Sequence, residues 1–414
     1  MEIPYHDLVL EFGTPTYVYE GSRMTGTLAH VRNVLHSRLE VFYSLKANPN
    51  ISVFALLHAN GARAEVSSLG ELRTVIAAGA APEDIIFLGP GKSDDELAAC
   101  ISANVYAIVC EAFDELDRIE RLAGERGVRQ RVLLRINPAS SAPGARLAMG
   151  GKPRQFGIDE KALLAEPGLA NRFRHADLAG VQVYCGSRIL DWQAIAANTR
   201  YALDLAEEVA ATTGIRLDAV DIGGGFGVPY FEGEHALDLD ALAEVMNPAI
   251  ERFAYNHPDT RMILEMGRFL VAAAGVYLVR VRSVKESHGQ SFVITDGGTH
   301  HHLPAVGIGS IMRRNFPIKL LEDAAGPDEV CQVAGLLCTP NDLLGRNVML
   351  PKPRIGDVLG IFQSGAYGLS ASPGLFISHG FPAEVLVHEG KSYLIRERDE
   401  PDDLLRKQRH HNFQ

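Results

Sequence analysis

The sequence predicts a closed (β/α)8 barrel followed by an antiparallel β domain. From about residue 28 to residue 270, eight short apolar runs alternate with helix-patterned stretches. Such alternation suits a barrel, with an open doubly wound sheet as the competitor that periodicity alone does not remove. After about residue 270 the texture turns β-rich, with Gly, Pro and Asp between segments such as GVYLVRVRSVKE, QSFVITDGG, AEVLVHEG and KSYLIRER. A length of 414 residues fits two or three domains.

Residues 1–27 contain PTYVYEG, a strand that either starts the barrel or pairs within the later β domain. The barrel is expected over 28–270, with strands in VFYSL, ARAEVS, DIIFLG, VYAIVC, RVLLRI, LAGVQVY, AVDIGGG and RMILEM. Helices fall between them in NISVFALLHANG, SLGELRTVIAAG, DELAACISANV and AFDELDRIERLAGERG. The β domain is expected over 271–402, and the polar stretch 403–414 reads as a frayed tail.

Composition narrows the function. Apolar residues make up 46% and charged residues 22%, the balance of a globular protein with a sizeable core. A formal charge of −11 disfavours nucleic acid and anionic membranes as partners. The opening residues lack a basic-then-apolar signal pattern, and no run reaches the roughly 20 apolar residues of a membrane helix. A cytoplasmic protein is expected. Cys100, Cys110, Cys185, Cys331 and Cys338 form no CxxC pair and no zinc spacing, so neither a disulfide framework nor a metal site is expected.

Four stretches carry chemistry. In Tyr43-Ser44-Leu45-Lys46-Ala47-Asn48 a lysine ends an apolar strand, which on a barrel places it at the mouth where active sites form. Partial burial there lowers a lysine's pKa and favours imine formation. A lone lysine in that position is usually a surface cap, so its meaning depends on the other three. Asp221-Ile222-Gly223-Gly224-Gly225-Phe226-Gly227 follows a strand with glycines whose backbone N–H groups can close on a phosphate. A dinucleotide fingerprint fails, because the sixth position from Gly223 is Val228. Glu265-Met266-Gly267-Arg268 ends another strand, where a carboxylate can pair with a protonated pyridine nitrogen and an arginine with a phosphate. Finally, Gly335 to Asp342 (GLLCTPND) and Gly365-Ala366-Tyr367-Gly368 offer a proton donor in Cys338, an amine partner in Asp342 and a phosphate ligand in Tyr367. Each of these four, taken singly, also has an ordinary structural reading.

In this order, from PTYVYE through YSLKAN, EVSSLGEL, GPGK, LRINP, GGGFG, EMGR, CTPND and SGAYG, the chain resembles the fold-type III pyridoxal-phosphate decarboxylases, which include diaminopimelate, ornithine and arginine decarboxylases. The resemblance spans nearly the whole chain. It implies an alanine-racemase-like plan, in which the N-terminal strand joins the β domain. It implies pyridoxal 5'-phosphate held by Lys46, with Gly224, Gly225, Gly267, Arg268, Tyr367 and Ser187 around its phosphate and Glu265 at its ring nitrogen. Cys338 and Asp342 would enter the site from the other subunit of a homodimer.

The family usually stacks a His on the cofactor ring; here the stretch Gln182 to Ser187 places Tyr184 there. Diaminopimelate decarboxylases carry a Glu after the catalytic Cys and an Arg after an Asp-x-Gly strand. Thr339 and Pro304 stand at those positions here, which removes both partners of a distal zwitterion and argues against that substrate. GGGFGVPYF, DGGTHHH, LCTPNDLLG and the stretch Met149 to Gly157 are similar to the branch that holds the butirosin-pathway glutamyl carrier-protein decarboxylase and the exosortase-associated decarboxylase. An acyl-carrier protein thus becomes a candidate partner, and Lys152, Arg154, Arg313 and Arg314 candidate contacts for an anionic group on it. His301 is a candidate substrate contact; read along a strand, only His300 and His302 share a face, a poor metal site. The rivals are a decarboxylase of free diaminopimelate, ornithine or lysine, an amino-acid racemase, and a cofactor-binding regulator. Glu265 argues against the racemase, whose relatives place an Arg at the ring nitrogen.

Overall fold

The computed structural model describes residues 3–139, 147–148, 153–306, 314–321 and 327–413. Its chain divides into two compact units. One comprises Thr25–Pro229 and His235–Phe269; the other comprises the chain up to Met24, Tyr230–Glu234 and the chain from Leu270 onward.

After β1 (Thr16–Glu20) come eight strands that form the barrel of the first unit: β2 (Leu39–Ser44), β3 (Arg63–Val66), β4 (Ile85–Phe87), β5 (Ala107–Cys110), β6 (Gln130–Asn137), β7 (Ala176–Val183), β8 (Ala219–Asp221) and β9 (Arg261–Met266). Each pairs in parallel with the next. β9 then returns to β2, with Met262 opposite Leu39 and Met266 opposite Tyr43, so the sheet closes and the open-sheet alternative falls. Several intervening helices start where Asn50, Ser68, Ser93, Asp191 or Asp238 accepts a hydrogen bond from a first-turn N–H.

The barrel interior is packed by Phe42, Ile86, Leu88, Ala107, Val109, Leu133, Ala219 and Ile263, all buried. Side chains two apart on a strand share a face. Counting on by two from this apolar layer reaches Ser44, Glu111, Arg135, Asp221 and Glu265, all close to the C-terminal ends of their strands. A polar layer therefore caps the apolar one at the end where barrel enzymes work.

The second unit is a nine-stranded sheet of β1 with β10 (Gly275–Ser287), β11 (Gln290–Thr295), β12 (Ile318–Leu320), β13 (Asp328–Ala334), β14 (Leu343–Pro351), β15 (Val358–Phe362), β16 (Ala383–His388) and β17 (Lys391–Arg396). β1 lies between β10, antiparallel to it, and β16, parallel to it. β11 and β13 also run parallel. The sheet is thus mixed rather than antiparallel throughout, because the long connection after β11 lets β13 return in the same direction. Leu8, Val9, Val18, Val276, Leu278, Val358, Val385 and Val387 form its core.

Two local expectations fail. The Asp296–His302 run is a turn, not a strand, since β11 ends at Thr295, whose hydroxyl donates to the Gly297 carbonyl at 2.8 Å. The polar C-terminus contains a short helix, Pro401–Leu405, started by reciprocal hydrogen bonds between Glu400 and Asp403. Among the described residues no helix is long and apolar enough to cross a membrane.

Candidate active site

Lys46 sits in a short 3-10 turn, Leu45–Ala47, directly after β2. Its Nζ donates to both oxygens of Glu65, at 3.0 and 2.9 Å. The lysine side chain is 43% exposed while Glu65 is 1% exposed, so the pair joins an accessible amine to a buried counter-charge. Strand register explains the meeting, because Ser44 lies opposite Glu65 on β3. Burial opposes ionisation of Glu65, but the Lys46 ammonium and hydrogen bonds from Ser44, Lys46 and Ser67 outweigh it and hold the carboxyl below its usual range.

Glu265 lies near the end of β9, buried, and accepts a hydrogen bond from Gln182 Nε2 at 2.9 Å. Burial raises its pKa first and the Glu65 carboxylate second, against the pull of Lys46. Asp221, at the end of β8 and wholly buried, takes the Gly223 N–H on Oδ1 at 2.8 Å. Burial first, then the neighbouring Glu265, push the Asp221 carboxyl well above the usual carboxylate range. Glu65 thus pairs directly with Lys46, and buried Glu265 and Asp221 interact electrostatically with that pair.

The glycine turn is stitched to the segment after β7. Ile189 N–H donates to the Gly225 carbonyl at 3.0 Å and Gly227 N–H to the Ile189 carbonyl at 2.8 Å. This brings half-buried Tyr184 and Ser187 beside the glycines. A Cβ at Gly224 would overlap the Glu265 carbonyl, and Gly225, at φ +87°, holds a backbone conformation that side chains rarely adopt. Gly267 closes the circle: a Cβ there would crowd Ala47 and Ser44, so the Gly267–Arg268 turn packs onto the turn bearing Lys46.

The barrel therefore assembles Lys46, Tyr184, Ser187, Gly224, Gly225, Glu265, Gly267 and Arg268 at one end. These residues fit pyridoxal phosphate on observations of the structure. The glycines leave room where side chains would stand, an accessible amine ends one strand, and a buried carboxylate ends its neighbour. Gln182 Oε1, buried beside Glu265, has no hydrogen-bond partner among the described residues. Glu65, Asp221 and Gln182 were missed as site residues, as were Glu111 and Arg135, an ion pair at 2.7 Å. The signal available was the same for most of them: a polar residue two positions past an inward apolar one at a strand's end.

The other expected residues lie in the β unit. Cys338 is exposed on the loop between β13 and β14, whereas the other four cysteines are buried. Tyr367 is half-buried at φ +58°, a left-handed conformation unusual for a bulky residue. Asp342 is buried and saturated: Oδ1 accepts from Thr299 N and Oγ1, each at 2.7 Å, and Oδ2 from Leu337 N at 2.7 Å. It ties the Cys338 loop to the Thr299 turn, which leaves little capacity for a substrate amine.

His301 is a correction. It is buried, with Nδ1 2.9 Å from the Tyr277 hydroxyl and Nε2 2.9 Å from the Gly380 carbonyl, so neither nitrogen is left for a substrate. Burial first, then His300, lowers its pKa to about 3. Arg154 is exposed, and Arg314 stands 3.9 Å from Glu234. Lys152 and Arg313 lie outside the described residues. Among those described, no three His, Cys, Asp or Glu side chains are arranged to hold a metal.

The chain is similar to known proteins. Residues 23–272 match the family model of the pyridoxal-dependent decarboxylases, pyridoxal binding domain. The chain is 38% identical over 403 residues to the L-glutamyl-[BtrI acyl-carrier protein] decarboxylase of Niallia circulans, spanning 96% of this chain and 94% of that one. It is 33% identical over 410 residues to diaminopimelate decarboxylase of Methanothermobacter thermautotrophicus, across 97% and 93% of the two chains. The crystal structure of Helicobacter pylori diaminopimelate decarboxylase complexed with L-lysine superposes with a TM-score of 0.88 at 29% identity, covering 97% of this chain and 98% of that one.

Proposed function

This chain belongs to the pyridoxal-dependent decarboxylases, a pyridoxal-phosphate-dependent amino-acid decarboxylase, and from that premise we propose that its substrate is an amino acid tethered to a carrier protein, glutamate first among them. The observation that carries this reading is the 38% identity to a decarboxylase named for a glutamyl carrier-protein substrate, sustained over nearly the full length of both chains. Thr339 and Pro304, in place of the Glu and Arg that would hold a distal zwitterion, support it.

The residues divide the work as follows. Lys46 is the attachment point for the cofactor. Bound pyridoxal phosphate supplies the sink for the electron pair left when the Cα–carboxylate bond breaks. Glu265 would hold a proton at the ring nitrogen, steadied by the hydrogen bond it accepts from Gln182, with buried Asp221 as its neighbour. Glu65 holds the Lys46 ammonium in place, ready to return a proton to Cα. The Gly224–Gly225 turn, Ser187, Arg268 and Tyr367 bind the phosphate, and Tyr184 covers the ring. Cys338 is the second proton donor to Cα and acts in the partner's site of a homodimer in the cytoplasm. Asp342 positions the Cys338 loop through Thr299 and Leu337.

Measuring CO₂ release tests the substrate. Carrier-loaded glutamate should be turned over at a far higher kcat/KM than free glutamate or meso-diaminopimelate. Equal or faster turnover of free diaminopimelate would overturn the tethered reading and leave a decarboxylase of free amino acids. For the dimer, mixing inactive Lys46→Ala and Cys338→Ala proteins should restore activity, and no recovery would argue against shared sites.

A further inference from the structure

One face of the β unit has a groove outside the cofactor residues named above. Its volume is about 580 Å³, within the range of small-molecule sites. Strand register builds it. Lys285 on β10 lies opposite Phe292 on β11, which lies opposite Gln332 on β13, so these three form one row across the sheet. Ile294 and Ala334 form the next row. The alternate residues Val293, Cys331 and Val333 are wholly buried on the other face. The groove is therefore a sheet face with an apolar strip down its middle.

Polar groups bracket that strip. Gln332 Nε2 donates to Asn347 Oδ1 at 2.6 Å, which fixes a pair of amides on one wall. Lys285 and Arg346, both exposed on the lining, make no ion pair with any described residue. On the lining these two cations outnumber the one carboxylate, Asp342, whose oxygens already accept from Thr299 and Leu337; on a chain of net charge −11 that is a local reversal of sign, which attracts an anion. At the far side Leu337 and Thr339, the neighbours of Cys338, line the groove.

The geometry points to this groove as the binding site for a phosphopantetheine arm, the phosphate held by Lys285 and Arg346, the branched aliphatic part on Phe292 and Ile294, and its amides beside Gln332 and Asn347. The inference rests on the tethered-substrate reading and names the part of the carrier that the enzyme recognises. Arg154 and Arg314, the cations expected from sequence to serve such a group, are not part of this lining.

The test is titration calorimetry of pantetheine 4'-phosphate into the cofactor-loaded enzyme, with Lys285→Glu/Arg346→Glu alongside. Borohydride labelling of Lys46 establishes that the variant is folded and loaded. The wild type should bind, and the variant should bind at least about tenfold more weakly, the effect of losing charge-assisted contacts. No binding by the wild type, or equal binding by the variant, overturns the site. Complete displacement by inorganic phosphate at equal concentration also overturns it, leaving a simple anion patch. The two readings fail differently. If pantetheine 4'-phosphate binds as expected but carrier-loaded glutamate is not decarboxylated, the substrate reading falls and the groove stands. If the variant decarboxylates carrier-loaded glutamate with unchanged KM, the groove falls and the substrate reading stands.

Discussion

The barrel mouth and the Tyr17–Tyr277–His301 region of the β unit are both buried clusters of titratable side chains, yet they are built to opposite ends. At the mouth, Lys46 and Glu65 form an ion pair, and Glu265 and Asp221 lie buried beside it with their pKa values raised. In the β unit, Tyr17 and Tyr277 stack with centroids 4.7 Å apart, the Tyr17 hydroxyl donates to the His301 carbonyl at 2.7 Å, and the His302 ring bonds Ser364 at 2.9 Å. Burial lowers His300 and His302 to about 4, and burial with His300 lowers His301 to about 3, so all three are neutral. The lesson is that reactivity comes from an accessible amine set against buried carboxyl groups. Three consecutive histidines, the more conspicuous signal in sequence, are neutral and packed.

That contrast can be broken, starting with its largest consequence. Lys46→Ala should abolish turnover by several orders of magnitude and remove the borohydride-fixed cofactor mass from the peptide containing residue 46. Retention of both would sink the assignment of the barrel mouth. Glu265→Gln should keep the cofactor attached but lower kcat by about 10² or more, since a neutral amide holds the ring proton weakly. Unchanged kcat would mean that the carboxylate does not face the ring.

His301→Gln should act on stability instead. Losing the bonds to Tyr277 and Gly380 costs about 2–4 kcal/mol in urea unfolding. A stable variant with a raised KM would return His301 to the substrate. The smallest effect lies in pH dependence, where the two regions carry opposite signs. The histidines have folded pKa values below the unfolded 6.5, so their contribution is full above that pH and is lost as pH falls from 6.5 toward 4 and 3. At the barrel mouth Glu71, which accepts the Ser67 N–H at 2.7 Å and feels Glu65 and Lys46, is raised by burial to about 7 from 4.5 and gives stability that grows as pH falls across that interval. Unfolding free energies between pH 4.5 and 6.5 should therefore fall more steeply with acid in Glu71→Gln than in the wild type. A slope identical to the wild type would show that Glu71 keeps its unfolded pKa in the fold.

Much of the barrel was legible because its two periods are local. A run such as RMILEM needs only its own residues to read as a strand, and the glycines of GGGFG announce a close approach before the approaching group is known. Lys46, Glu265 and the glycine turn were readable for that reason. Glu65 was not: it lies 19 residues from Lys46, and only parallel pairing of β2 with β3 puts them together. Asp342 and His301 read as substrate contacts because their polarity was visible and their partners were not. Thr299, Tyr277 and Gly380 lie 43, 24 and 79 residues from their partners, so only folding could supply those hydrogen bonds.

By itself, then, the sequence determined the strand and helix alternation, the family and the lysine at its centre, since these depend on residue type at short spacing. The tertiary structure alone decided the register with which the sheet closes, the place of β1 between β10 and β16, and which polar side chains are balanced. The physical reason is the same in each case. Register and burial are set by distant strands, and they turn a titratable residue into either a charged, exposed group such as Lys46 or a neutral, satisfied one such as His301.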